Sequence, residues 1–343
     1  YNSLIRPREG LLTMFTEQSL RDYPVLVKLF MGIPAEAFWA IVQPVEAKLP
    51  AYDQQRLDRT DRNRARGAGR ECDQPIAIRV ALVLTYLRLH VPQLVVAMMY
   101  GATQADVSRD RRRLLPVIQS GLPCPAVWAI VEDGQTVNDD ESLALEHLAD
   151  GRVLIDATEQ RVFRSHANET RKAYYSGQKK AFTLKTEGVT DGDHHIQAIS
   201  VAVPGATHDK KLSAQVHPLE HLPDDCEADA DKGYQGLDAQ VSVVTVLDTN
   251  TGVCQQVPRL IVKTPFKKPK GQPLTEEQHA FNSQLSAVRV RVEHGIGWAK
   301  NWAILATRFR CAHAIYTSIM RTICGLVNKQ TQRWQAALIA NSA

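Results

Sequence analysis

Three acids stand out by type and setting: Asp156 in VLIDATEQ, Asp231 in ADKGYQG, and Glu293 in RVRVEHGIGWAK, a lone carboxylate among Arg289, Arg291, His294 and Lys300. Carboxylates are the hard oxygen donors that Mg2+ takes together with water and phosphate oxygens. Two such ions about 4 Å apart activate an attacking water or hydroxyl and stabilise the departing oxygen in an in-line displacement at phosphorus. Three carboxylates carry about minus three charges, which two divalent ions roughly cancel. The bases beside Glu293 suit the phosphates of a nucleic-acid strand, or orient the glutamate. Each acid alone also has a plain structural use: Asp156 capping a turn, Asp231 shaping the turn at Lys232 and Gly233, Glu293 pairing with Arg289 at the surface. Asp229 shares a strand face with Asp231 and is its rival. His194, His195 and His294 have no partner at a metal-ligand spacing.

The elements that must gather these acids follow from periodicity. RVLIDATEQRVF, AFTLKTEGVTD and HHIQAISVAVPG read as strands of an antiparallel meander, THDKKLSAQVHPL as a helix, CEADADKGY and VPRLIVKTPFKK as further strands, and 275 to 303 as a long helix opened by a Thr275/Gln278 capping box. This order fits a mixed sheet whose first strand lies centrally beside the fourth. If those two run parallel, Asp156 and Asp231 meet at carboxyl ends of central strands, where ligand sites sit. On the long helix, Ser286, Arg289, Glu293, Gly297 and Lys300 share one sector, and Phe281, Leu285, Val288, Val292 and Ile296 form an adjacent apolar stripe.

Upstream, residues 11 to 50 read as short helices, one starting at Pro34 and kinked by Pro44, and 51 to 74 as an arginine-rich linker or a groove-seeking arm. Residues 75 to 120 give three helical pieces, with Gly101 as a stop and a Thr103/Asp106 capping box opening the third: a helix-turn-helix outline. Val107, Leu114 and Ile118 face the core, leaving Gln104, Ser108, Arg109, Arg111 and Arg112 on the outer face for base edges and phosphates. A helical bundle with a salt-laced surface helix fits the same outline. Residues 121 to 150 read as a connector with a short helix, DESLALEHLA. YYSGQKKAFTLK sets Lys179, Lys180 and Lys185 beside Tyr174 and Tyr175, either a phosphate-tracking, base-stacking surface or a solvated hairpin with core tyrosines. KTPFKKPKG adds an exposed lysine loop, and in GATHD, at the start of the next helix, His208 and Asp209 either support the site or contact DNA, or Thr207 or Asp209 simply caps the helix.

A length of 343 residues suggests about two domains, and 44% apolar with 23% charged residues is ordinary globular composition. A net charge of +4 permits an anionic partner without demanding one, so any nucleic-acid reading rests on local clusters. Six cysteines without a C-x-x-C pair read as reduced thiols of an intracellular protein. No apolar run approaches the ~18 residues of a membrane span, and the start carries no signal peptide.

Together, VLIDATEQ, YYSGQKKAFTLK, PGATHDKKL, ADKGYQG and RVRVEHGIGWAK resemble the DDE-type insertion-sequence transposases of the insertion-sequence-five superfamily, related to Harbinger-like elements. That family carries Tyr, two residues, Arg, three residues, Glu, six residues, Lys. Arg289, Glu293 and Lys300 match this spacing, and Ser286 stands in place of the tyrosine. The resemblance implies a mixed α/β fold: a ribonuclease-H-like catalytic domain over 151–335, preceded by a helical segment (1–50), the linker (51–74), an all-α helix-turn-helix domain (75–120) and the connector (121–150). It also implies that Asp156, Asp231 and Glu293 hold two Mg2+ ions, with Mn2+ able to substitute. The expected partners are double-stranded DNA, as terminal inverted repeats and target, and a second copy in a homodimer on DNA, with no membrane. The expected place is the bacterial cytoplasm, at the nucleoid, or the nucleus of a eukaryotic source. A domesticated DNA-binding regulator and a nuclease without strand transfer are the alternatives.

Overall fold

The computed structural model describes residues 14–58, 74–132, 135–136, 145, 148, 151–247 and 254–342, without the side chains of 132, 135–136, 290–294 and 333–342. Most of the expected helix DESLALEHLA, all but Leu145 and Leu148, and most of the arginine-rich linker lie outside the described residues. The chain forms two compact units, the first from Tyr1–Cys124, Lys300–Thr307 and Ser318–Ala343, the second from Pro125–Ala299 and Arg308–Thr317.

The first unit is helical: α1 (Glu17–Asp22), α2 (Pro24–Met31), α3 (Ala35–Leu57), α4 (Ile76–Leu89), α5 (Gln93–Met99) and α6 (Gln104–Gln119). Pro34 precedes α3 as expected, but α3 continues through Pro44 and Pro50 to Leu57, so the first residues assigned to the linker are helical. Helix α4 is buried from Ala77 to Leu87. The Thr103/Asp106 capping box opens α6 as expected.

Within α6, Gln104, Arg109 and Arg112 are exposed and Ser108 is half-buried. Arg111 is a correction: it is buried, with its guanidinium 5.8 Å from the Tyr86 ring centre. It follows Val107 by four positions and precedes Leu114 by three, which puts it on the apolar stripe itself. Asp110 shares that stripe and is bonded by Arg79 of α4 through Nη2 at 2.5 Å and Nε at 3.0 Å. Arg113 pairs with Asp53 of α3.

The second unit is built on a sheet. Its strands are β1 (Ala126–Trp128), β2 (Val131–Glu132), β3 (Gln135–Thr136), β4 (Arg152–Arg161), β5 (Tyr175–Ser176), β6 (Ala181–Asp191), β7 (Ile196–Ser200), β8 (Val203–Pro204), β9 (Glu227–Ala230), β10 (Val243–Leu247), β11 (Cys254–Pro258) and β12 (Ile261–Lys263). The helices are α7 (Asn168–Tyr174), α8 (Asp209–Val216) and α9 (Glu276–Lys300), whose last residue counts with the first unit. Two more complete the first unit, α10 (Ala303–Ala306) and most of α11 (Tyr316–Ser342).

The main sheet runs β1-β7-β6-β4-β9-β12, with β4 antiparallel to β6 and parallel to β9. This is the mixed sheet expected, with its first long strand beside the strand that leads into Asp231. The connector contributes β1, which pairs parallel with β7. Val153, Ile155, Val189, Ala228 and Ala230 form one core with Leu212 and Val216 of α8. Among the described residues no single helix is long and apolar enough to cross a membrane.

Candidate active site

Strands β4 and β9 are in register from Arg152 and Glu227 to Ile155 and Ala230. The next residue on each is an acid, Asp156 and Asp231, so the two carboxylates leave adjacent parallel strands at one level. Asp231 departs with extended backbone into the tight turn Lys232–Tyr234, closed by Tyr234 N–H donating to the Asp231 carbonyl at 2.9 Å. Asp156 accepts from the Ala157 N–H at 2.9 Å. Burial raises its carboxyl to about 6, the Ala157 N–H and Arg289 offset part of this, and the Asp231 and Asp209 charges add to it.

Helix α9 brings the cation. The Thr275/Gln278 capping box starts it, with Gln278 N–H donating to Thr275 Oγ1 at 3.2 Å and Thr275 N–H to Gln278 Oε1 at 3.1 Å. Leu285 and Ile296 of the expected apolar stripe are buried, whereas Val292 lies outside the described side chains. Gly295 lets the helix approach the sheet, since a Cβ there would stand 3.2 Å from the His194 carbonyl oxygen. Arg289 Nη1 then donates to Asp231 Oδ1 at 2.9 Å. A guanidinium thus supplies positive charge at the paired acids.

Glu293 stands in α9 one helical turn beyond Arg289, and its side chain lies outside the described residues. Among the described residues no group of three or more His, Cys, Asp and Glu is arranged to hold a metal ion. Two oxygen donors at adjacent strand ends, one of them paired with a guanidinium, keep a net negative charge and fit a hard divalent ion in donor type. The rival Asp229 is buried, with Arg152 Nε 3.8 Å away. It lines a separate cavity of about 270 Å3 with Glu227, Lys263, Phe281 and Leu285.

The outlying cations divide. Lys179, Lys180 and Lys300 are exposed, as a nucleic-acid contact requires. Lys185 is a correction: it is 5% exposed and its Nζ pairs with Asp209 at 2.7 Å, so it cannot meet DNA phosphates. Arg289 is committed to Asp231 rather than open to a strand. Tyr175 is exposed and edge-on to Phe182, and Tyr174 lies 5.1 Å from His313. In GATHD the cap is neither Thr207 nor Asp209: His208 takes that place, its Nδ1 accepting from Lys210 N–H at 3.3 Å.

Periodicity alone missed Glu187 and Tyr234. Glu187 is the register partner of Ala157, 1% exposed, and Tyr234 is equally buried. Burial raises the Glu187 carboxyl from 4.5 to about 8, with the Tyr234 hydroxyl opposing and the Asp209 and Asp156 charges adding to the rise. The signal available was a charge inside a strand buried on both faces. The folded protein keeps a proton on Glu187 that the unfolded chain sheds above about 4.5, so this residue takes stability away as pH rises toward about 8. Glu187→Gln should flatten the decline of unfolding free energy between pH 5 and 8 by up to about 1.4 kcal/mol per pH unit. Urea titrations at several pH values read this directly, and parallel pH curves would refute it.

A sequence model of the family described as DDE superfamily endonuclease matches residues 155–328. A curated relative, the "Probable transposase for insertion sequence element IS702" of Microchaete diplosiphon, is 29% identical over 181 residues, covering 51% of this chain and 56% of the relative. The chain thus spans about half the length of the curated relative it matches. No solved structure matches.

Proposed function

The chain belongs to the DDE superfamily of endonucleases, and on that premise we propose that it is a DNA transposase that binds the terminal inverted repeats of its element and cuts and joins DNA strands. The observation that carries this reading is the register of β4 with β9, which sets Asp156 and Asp231 side by side with Arg289 bonded to the second. Glu293 is the third acid of the proposed site. When bound, two Mg2+ ions supply charge neutralisation and activation of the attacking oxygen. Asp156 and Asp231 hold and orient their carboxylates there, and Arg289 fixes the rotamer of Asp231.

The sheet, with its central strand flanked by one antiparallel and one parallel neighbour, supports a ribonuclease-H-like catalytic unit. Helices α4 to α6 serve as the helix-turn-helix, with Gln104, Ser108, Arg109 and Arg112 reaching bases and phosphates and Lys179, Lys180 and Lys300 as further phosphate contacts. Handling two element ends at once calls for a homodimer on DNA.

Incubation with Mg2+ and DNA bearing the element's own ends should yield nicked ends and joined products. Nicking without joining would favour a nuclease, and binding without cutting a regulator. In the same assay Arg109→Ala and Arg112→Ala each weaken binding and lower the salt slope of affinity by about one. Arg111→Ala, being buried, lowers thermal stability instead.

A further inference from the structure

Two carboxylates with no part in the reaction above, Glu159 and Asp209, meet at one buried cation, Lys185. Lys185 on β6 and Glu159 on β4 are register partners with side chains 6% and 4% exposed, and Lys185 Nζ stands 3.5 Å from Glu159 Oε1. Glu159 also accepts from Thr183 Oγ1 at 2.7 Å and Ser176 Oγ at 3.2 Å. The closer partner of Lys185 is Asp209 Oδ1 at 2.7 Å, at the start of α8. The other oxygen of Asp209, Oδ2, lies 2.9 Å from the point where a Cβ on Gly233 would stand. Gly233 is in the turn that carries Asp231. Gly205, in the loop before α8, backs so closely on Thr183 that a Cβ would overlap its hydroxyl. A desolvated ammonium gripped by two carboxylates is costly to disturb, so this knot is stiff.

We propose that Asp209, held by Lys185, is a positioning residue that braces the Asp231 turn and thereby sets the affinity of the paired acids for their divalent ion. This rests on the reading of Asp156 and Asp231 as metal-holding residues. The role is mechanical, and for Lys185 charge alone gives the opposite sign, whereas for Asp209 the two effects share a sign. Removing the positive Lys185 from the neighbourhood should, by electrostatics, tighten cation binding. Loss of the brace should loosen it, by about 10-fold or more if it acts as outer partners of metal ligands commonly do.

The test uses the full chain and Mn2+ alone, with free Mn2+ followed by electron paramagnetic resonance and folding by circular dichroism. Asp231→Asn is the control for the underlying reading and should weaken Mn2+ binding strongly. Lys185→Met and Asp209→Asn are each expected to weaken it about 10-fold, and the double variant no further, because both act through one contact. Gly233→Ala, which drives Asp209 from its place while keeping every charge, should do the same and decides the matter if either charge variant fails to fold. Unchanged or tighter binding in Lys185→Met and Gly233→Ala, with Asp231→Asn impaired, overturns the brace and leaves the metal site standing. Unchanged binding in Asp231→Asn overturns both.

Discussion

Asp231→Asn is expected to lower Mg2+-dependent strand cleavage by ~10³-fold or more while leaving affinity for element-end DNA nearly intact. The amide oxygen is a poorer ligand for a hard cation than a carboxylate. The substitution also takes the charged partner from Arg289, whose Nη1 now stands 2.9 Å from Asp231 Oδ1. The guanidinium is then left half-buried and free to turn toward the space the acids enclose, adding repulsion to the loss of a donor. In the proposed function affinity for DNA rests on α6, which belongs to the other compact unit, so binding and cutting should separate. Glu293→Gln should behave alike. Single-turnover cleavage and filter binding on the same preparations read the two quantities, and cleavage by Asp231→Asn within tenfold of the parent would remove this residue from the chemistry.

The second large effect is on folding. Asp110→Ala should cost about 3–5 kcal/mol, because it removes the buried carboxylate that the Arg79 guanidinium pairs with. Both side chains are 5% exposed and the contact is bidentate, with Arg79 Nη2 2.5 Å from Asp110 Oδ1 and Nε 3.0 Å from Oδ2. A loss of that size lowers the melting temperature by on the order of 10 °C and removes DNA binding with it, since the pair ties α6 to α4. Arg79→Met combined with Asp110→Ala should recover most of the stability, as neither charge remains to be solvated. Scanning calorimetry of the single and double variants decides it: equal destabilisation in both would mean that packing, not charge, holds the two helices.

The sheet and its acids were legible because they depend on chain order and alternation. A meander followed by a crossover helix leaves few places for the strand before Asp231, and the place beside β4 puts Asp156 and Asp231 level. The outlying cations were less legible, because a basic side chain carries no label for solvent or core. Arg111 lies on the Val107–Leu114 stripe, and its spacing pointed inward although its chemistry pointed outward. Lys185 reads as a hairpin lysine until β4 and β6 are aligned, when Glu159 falls opposite it. Strand β1, three residues long and paired to β7, is too short to show alternation. The His208 cap escaped because serine, threonine, aspartate and asparagine are the usual caps.

The helical unit draws on both ends of the polypeptide. His90, closing α4, bonds Thr307 through Nδ1 at 2.8 Å, and Gln119, closing α6, donates to the Ser318 carbonyl at 2.8 Å. During translation those partners emerge only after the whole intervening sheet, a delay of roughly 10–40 s at ~5–20 residues per second. A nascent chain therefore carries its α4–α6 region with part of its apolar surface still wet, and a premature stop before Ser318 leaves a product whose bundle never closes.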